Sequence, residues 1–330
     1  MFFLLNMFCL TIFLEFDMKK NLIALAAIAA VGAVSAQNVS LTGSISAATQ
    51  RNLTGSSNGI AMTDNTLNVA VSDEWDNGVK MTAAMVIEND TNRGAGFTRA
   101  DQSFGLTTSL GSVKIANTRS GGAQGAALVA PANLADDQWS SAVITREAID
   151  VVAVSVPLSA AFTGTYSYIE GKNLAGAAAS GATQPSAVSQ ALNVKYSADG
   201  LTVSGSFVST AFVDPLLAGL NDAKSARSTS TDLSIVYAAS FGKIGFGYDS
   251  PRRGKPEADK AATLLGLAIP VANFTLGFNY GKRDTASFSQ FAAQMDLSKR
   301  TNVNLSYGQD QQSGALPTND QYRLSLNHSF

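Results

Sequence analysis

Gln321-Tyr322-Arg323-Leu324-Ser325-Leu326-Asn327-His328-Ser329-Phe330 ends the chain, and its parity decides how the rest is read. Successive side chains of a strand point to opposite sides, so residues two apart share a face. Tyr322, Leu324, Leu326, His328 and Phe330 form one face; Gln321, Arg323, Ser325, Asn327 and Ser329 form the other. One side is greasy and closes on an aromatic carboxyl terminus, while the other is wet. A strand between lipid and water has this pattern.

The same alternation runs back through the chain. Val39, Leu41 and Ile45 alternate with Ser40, Thr42, Ser44 and Ser46 near the start. Leu192/Val194/Tyr196 oppose Asn193/Lys195/Ser197, and Phe274/Leu276/Phe278/Tyr280 oppose Thr275 and Asn279. Tight-turn chemistry lies between strands at Asp76-Asn77-Gly78, Leu110-Gly111-Ser112, Leu158-Ser159, Asp199-Gly200, Phe241-Gly242-Lys243, Val271-Ala272-Asn273 and Leu297-Ser298-Lys299. Longer polar segments alternate with these turns, at about 50–65, 89–100, 119–145, 171–189, 211–230, 251–260, 283–287 and 309–320. Seven short turns alternating with eight long loops predict sixteen strands in a closed transmembrane antiparallel β-barrel, an all-β fold. Closure needs every strand, so residues 37–330 are expected to form one domain. The strands near 261–271 and 287–296 alternate poorly and are placed by the turns around them. A β-sandwich or solenoid shares the period of two. The length without a break, the loop alternation and the aromatics on the apolar face, among them Tyr166, Tyr168, Tyr237, Phe246, Tyr248 and Phe274, favour the barrel.

Composition narrows the function classes. The 330 residues are 45% hydrophobic and 15% charged, with 23 basic against 25 acidic residues, so no global field calls for nucleic acid. Cys9 is the only cysteine and His328 the only histidine, which leaves neither a metal-ligand set nor a Ser/His/Asp constellation, and no cofactor or enzymatic activity is expected. Met18-Lys19-Lys20, the apolar run 22–34 and Val34-Ser35-Ala36 read as a signal peptide (18–36) cleaved before Gln37. Residues 1–17 carry Glu15 and Asp17 where a cationic segment belongs, and read as an over-extended start. Beyond Ala36 no run is long and apolar enough to span as a helix, so any membrane crossing is by strands.

Several stretches resemble the general porins of Gram-negative bacteria, of beta-proteobacterial and neisserial type. They are Val39-Ser40-Leu41-Thr42-Gly43, Leu110-Gly111-Ser112-Val113-Lys114-Ile115, Asp296-Leu297-Ser298-Lys299-Arg300-Thr301 and Leu326-Asn327-His328-Ser329-Phe330. The resemblance implies an outer-membrane channel, usually a homotrimer, passing small hydrophilic solutes by diffusion. It also implies a third long loop folded into the lumen as a constriction, and a C-terminal strand, here Tyr322 to Phe330, read by the barrel-assembly machinery. Three positions depart from the family pattern: Ala116-Asn117-Thr118 stands where glycine, arginine and glutamine are common, Ser46 where aspartate is, and Asn327 where arginine is.

A pore needs a polar lining and charges that sort permeants. Arg119 to Thr145 is the longest connection and holds the place of the inward loop; Asp136 and Asp137 are its candidate acidic side. Parity turns Lys80, Lys114, Lys195 and Arg323 inward, and position at the loop rim adds Arg119 and Arg146. Lys114 and Arg146 are the preferred basic pair, since their strands flank the loop. Pro251-Arg252-Arg253-Gly254-Lys255 is a basic run in an outer loop where lipopolysaccharide phosphate is a conceivable contact beside outer-membrane lipid. The rival readings are a substrate-specific channel and an adhesin or structural β-protein without a pore.

Overall fold

A computed structural model of the chain describes residues 38–52, 59–89, 98–120, 123–131, 147–171, 187–212, 227–250, 260–311 and 319–330. The sixteen strands are β1 (Asn38–Asn52), β2 (Gly59–Glu74), β3 (Lys80–Asn89), β4 (Thr98–Thr108), β5 (Gly111–Ser120), β6 (Glu147–Pro157), β7 (Phe162–Gly171) and β8 (Ala187–Ala198), then β9 (Leu201–Phe212), β10 (Arg227–Ala239), β11 (Gly242–Asp249), β12 (Ala262–Val271), β13 (Phe274–Arg283), β14 (Ala286–Asp296), β15 (Thr301–Gln311) and β16 (Asn319–Ser329). Each pairs antiparallel with its neighbours in sequence, and β1 pairs with β16 to close the barrel. Closure leaves no unpaired edge, as a sheet within hydrocarbon requires. A ring this large encloses an aqueous channel instead of a side-chain core.

All seven expected short turns are present. Asp199 and Gly200 both take positive φ, 50° and 78°, which matches the right-handed twist of the strands they join. The outward parity expected of Leu192, Val194, Leu324 and Leu326 is present, since they are exposed on the outer wall, as are Val113, Ile115, Val152 and Val154. Rings pair between strands on that wall, Phe162 with Tyr196, Phe278 with Phe291 and Tyr307 with Tyr322, at centroid separations of 4.8, 4.9 and 4.7 Å.

Two expectations are corrected. The connection expected as a loop over 283–287 is a two-residue turn, Asp284-Thr285, with Asp284 at φ 54° and Arg283 inside β13. Aspartate tolerates the left-handed region better than most side chains, which permits the turn without glycine. Lys243, placed in a turn by its neighbours Phe241 and Gly242, is the second residue of β11.

The weak alternation of β12 and β14 has a packing cause. Their inward side chains include Ala262, Leu264, Ala286 and Phe288, which are buried together with Ala127 of the third long connection, so β12 is apolar on both faces and β14 starts with apolar side chains on its inward parity and Ser287 and Ser289 on the other. The seam between the chain ends involves Gly43 to Asn52 and Gln321 to Phe330. Gly43 and Phe330 exchange two backbone hydrogen bonds, both 3.1 Å. A Cβ on Gly43 would lie 2.5 Å from the Thr66 carbonyl oxygen and 2.7 Å from the Phe330 ring. Only glycine lets the terminal ring lie across β1 here.

Candidate pore lining

The inner wall is built by the residues that alternate with the lipid-facing set. Small side chains dominate much of it, and from β11 to β13 it becomes a smooth seat. Gly245 and Gly266 are directly paired, and Gly277 is paired with Ala268 on the adjoining strand. One turn of 3-10 helix, Ala123–Ala127, lies against β10, β11 and β12, across the ring from the β5 and β6 strands that carry its connection. The chain therefore enters the lumen and rests on the far wall.

The seat leaves no room for a side chain on the wall. A Cβ on Gly245 would stand 2.0 Å from the Ala127 carbonyl oxygen, and one on Gly266 2.1 Å from the same atom. A Cβ on Gly277 would meet Pro131 at 2.4 Å and Ala130 at 2.6 Å. The Ala130 amide donates to Asn279 Oδ1 at 3.2 Å, and Asn279 Nδ2 donates to Gln290 Oε1 at 3.3 Å, so two buried amides tie the segment to β13 and β14. Leu128 packs onto the Leu264–Phe288 cluster beside them.

Above this seat lies a charged cluster. Arg283 on β13 reaches across the buried Ala262 of β12 to Asp249 on β11, with both charged side chains almost fully buried. Its Nη1 also donates to the Lys260 carbonyl at 2.6 Å. Asp249 is directly opposite Asp232 on β10, whose Oδ2 accepts from Ser206 Oγ at 2.9 Å. Two carboxylates placed opposite one another repel, and the guanidinium offsets that repulsion in a site with little water. Arg283 and Asp249 sat at expected loop borders, where parity gives no signal.

The expected lumen charges fall as follows. Lys80 pairs with Glu74, Nζ to Oε2 at 3.4 Å, beside the short turn joining β2 to β3. Lys114 and Lys195 are exposed on the inward parity of β5 and β8, and Arg323 is half-buried on that of β16. Arg119 is the last residue but one of β5, with Ala148 of β6 as its register partner. Asp136, Asp137 and Arg146 lie outside the described residues. Tyr322 and Phe330 of the C-terminal strand face outward. Ser46 and Asn327, two positions where the family pattern is broken, meet each other: Ser46 Oγ donates to Asn327 Oδ1 at 2.5 Å, and Asn327 Nδ2 donates onward to Asn302 Oδ1 at 2.9 Å. A neutral chain of hydrogen bonds thus occupies the seam.

Among the described residues no helix is long and apolar enough to cross a membrane, and no group of three or more His, Cys, Asp or Glu side chains could hold a metal ion. The sequence profile of the family described as Gram-negative porin matches residues 23–315. The chain belongs to that family. This porin shares its fold with the anion-selective porin from Comamonas acidovorans, at 14% identity and a TM-score of 0.65, covering 89% of this chain and 100% of the other. A multiply substituted Rh. blastica porin is similar at 13% identity and a TM-score of 0.63, again over 89% of this chain and 100% of the other. A loop-deletion mutant of OmpT, an outer membrane protein of Vibrio cholerae, is similar at 11% identity and a TM-score of 0.63, over 90% and 100%. At these identities the likeness is one of fold. No curated protein matches the porin in sequence. Family and fold are those of an outer-membrane channel rather than of an enzyme.

Proposed function

We propose that this porin passes small hydrophilic solutes and ions by passive diffusion through a lumen narrowed by the third long connection. The observation that carries the reading is the seat of Ala127 to Pro131 on Gly245, Gly266 and Gly277, which holds chain inside a ring wide enough for water. Asp136 and Asp137 are proposed as the acidic side of the constriction, with Lys114, Arg119 and Arg146 as the basic side and Lys80, Lys195 and Arg323 as further lumen charges. The functional unit is a homotrimer, assembled after cleavage behind Ala36, with Tyr322 and Phe330 marking the strand that the barrel-assembly machinery engages. Lipopolysaccharide phosphate is proposed as a contact of the basic run 251–255.

Purified protein in a planar bilayer tests this reading. Stepwise openings in groups of three are expected, together with an amino terminus at Gln37 in protein isolated from outer membranes. Absence of conductance from correctly folded barrels would overturn the channel and favour an adhesin.

A further inference from the structure

The register of the sheet places three lysines on one level inside the barrel. A hydrogen-bonded row leads from Lys114 on β5 through Ala153 and Ser167 to Ala191 on β8, and Lys195 is four residues further toward the short-turn end. The row from Lys195 runs through Ser204 and Ser234 to Gly247 on β11, and Lys243 is again four residues toward the short-turn end. Each step crosses three strands, about 14 Å, and descends four residues, about 13 Å. In a barrel whose strands tilt by about 45° the climb along the row and the descent along the strand nearly cancel. The three ammonium groups therefore share one height, within four residues of the turns that close their strands.

The next step gives the opposite sign. From Lys243 the row passes Ala268 and Gly277 to Ala292 on β14, and four residues on stands Asp296. Its carboxylate accepts from Gln294 at 2.8 Å and lies nearly across the ring from Lys114. One step more, through Asn302, Asn327 and Ser46, arrives at Thr42 on β1. Lys114, Lys195 and Lys243 are exposed on the inward face and have no ion-pair partner among the described residues, unlike Lys80, which Glu74 balances.

We infer that Lys114, Lys195 and Lys243 form a cationic arc inside the short-turn mouth, below the loop seat, which concentrates small anions such as chloride and inorganic phosphate and sets the sign of the pore's ion preference. The inference rests on the channel reading above. It deepens that reading by joining Lys114, there on the basic side of the constriction, to Lys195 and Lys243 on the barrel wall just below the seat, none of them contributed by the constriction loop. Like charges lining one side of a water-filled passage raise the local concentration of counter-ions, and the effect fades as salt shortens the screening length.

The test is the reversal potential in a tenfold potassium chloride gradient across a planar bilayer, for the full protein and for the triple variant K114Q/K195Q/K243Q. These side chains are exposed, and glutamine keeps their length and polarity. The wild type is expected to prefer chloride. The triple variant should lose at least threefold in the chloride-to-potassium permeability ratio, with each single variant contributing part of the loss. D296N should shift the ratio toward chloride. In 20 mM salt the difference between wild type and triple variant should exceed that in 1 M salt. Retained conductance with an unchanged permeability ratio in the triple variant would overturn the arc and leave the channel standing. Wild-type barrels that do not conduct would overturn the channel itself.

Discussion

Replacing Gly266 by alanine probes the loop seat directly. The new Cβ would stand 2.1 Å from the Ala127 carbonyl oxygen and 2.7 Å from the Val129 amide nitrogen, where ordinary contact begins near 3.4 Å. The wall is held by paired strands on both sides, so the loop must yield, by about 1.3 Å toward the lumen axis. That displacement stretches the 3.2 Å bond from the Ala130 amide to Asn279 beyond hydrogen-bonding range. Losing such a bond costs about 1 kcal/mol and residual overpacking roughly 1–3 kcal/mol, borne by the attachment of the loop and not by the barrel. Single-channel conductance and the size limit for uncharged sugars in liposome swelling should both fall, while strand content by circular dichroism stays constant. Gly205→Ala supplies the control, because its Cβ would meet nothing closer than the Asp232 carbonyl at 3.9 Å. Wild-type conductance and solute limit in G266A would refute the seat.

Further outcomes follow from the buried pair and from the seam. Asp249→Leu leaves the Arg283 guanidinium buried without its carboxylate and should destabilise the barrel by about 3–5 kcal/mol in urea unfolding, whereas the double variant D249L/R283M should recover most of the loss. Equal stability of the single and double variants would refute the coupling. Ser46→Asp sets a carboxylate against Asn327 Oδ1 and should lower the temperature at which the folded band disappears in unboiled gels; adding Asn327→Arg should restore it, and a simple sum of the two single effects would show the residues to be independent. Ser46→Ala, which only removes the donor, should cost about 1 kcal/mol.

The fold was legible because alternation and turn chemistry agree along nearly the whole chain. Asn77-Gly78 and Asp199-Gly200 mark reversals by backbone requirement, and Leu192 to Tyr196 shows its two faces without help. Legibility failed where one position served two demands. Leu264 and Phe288 face the lumen side yet are apolar, because they receive the third connection, so β12 and β14 lost their period of two. Asp284-Thr285 makes a tight turn through a non-glycine residue in the left-handed region, which no Gly or Pro announces. The pore charges divided in the same way. Lys114 and Lys195 were found by parity within clean strands, but Arg283 and Asp249 stand at strand ends, and Lys243 directly follows a turn, where parity has no neighbours to lean on. The common level of the three lysines and Asp296 is a property of register across nine hydrogen-bonded pairings, six of them between Lys114 and Lys243, and no linear reading holds it.

The seam also dictates the order of events in assembly. Fifteen of the sixteen pairings in the ring join consecutive strands, so the sheet can grow hairpin by hairpin with little loss of chain entropy at each addition. The sixteenth brings together groups as far apart as Ser46 and Asn327, 281 positions along the polypeptide. It can form only once β16 is in place, where Phe330 adds two backbone bonds to the nine residue pairs from Ser44–Ser329 to Asn52–Gln321. Until then two raw edges face the surroundings, each able to capture a stray strand. Without the Gly43–Phe330 bond pair the seam would fray at the short-turn end, while the nine pairs from Ser44–Ser329 to Asn52–Gln321 would still tie the first strand to the last.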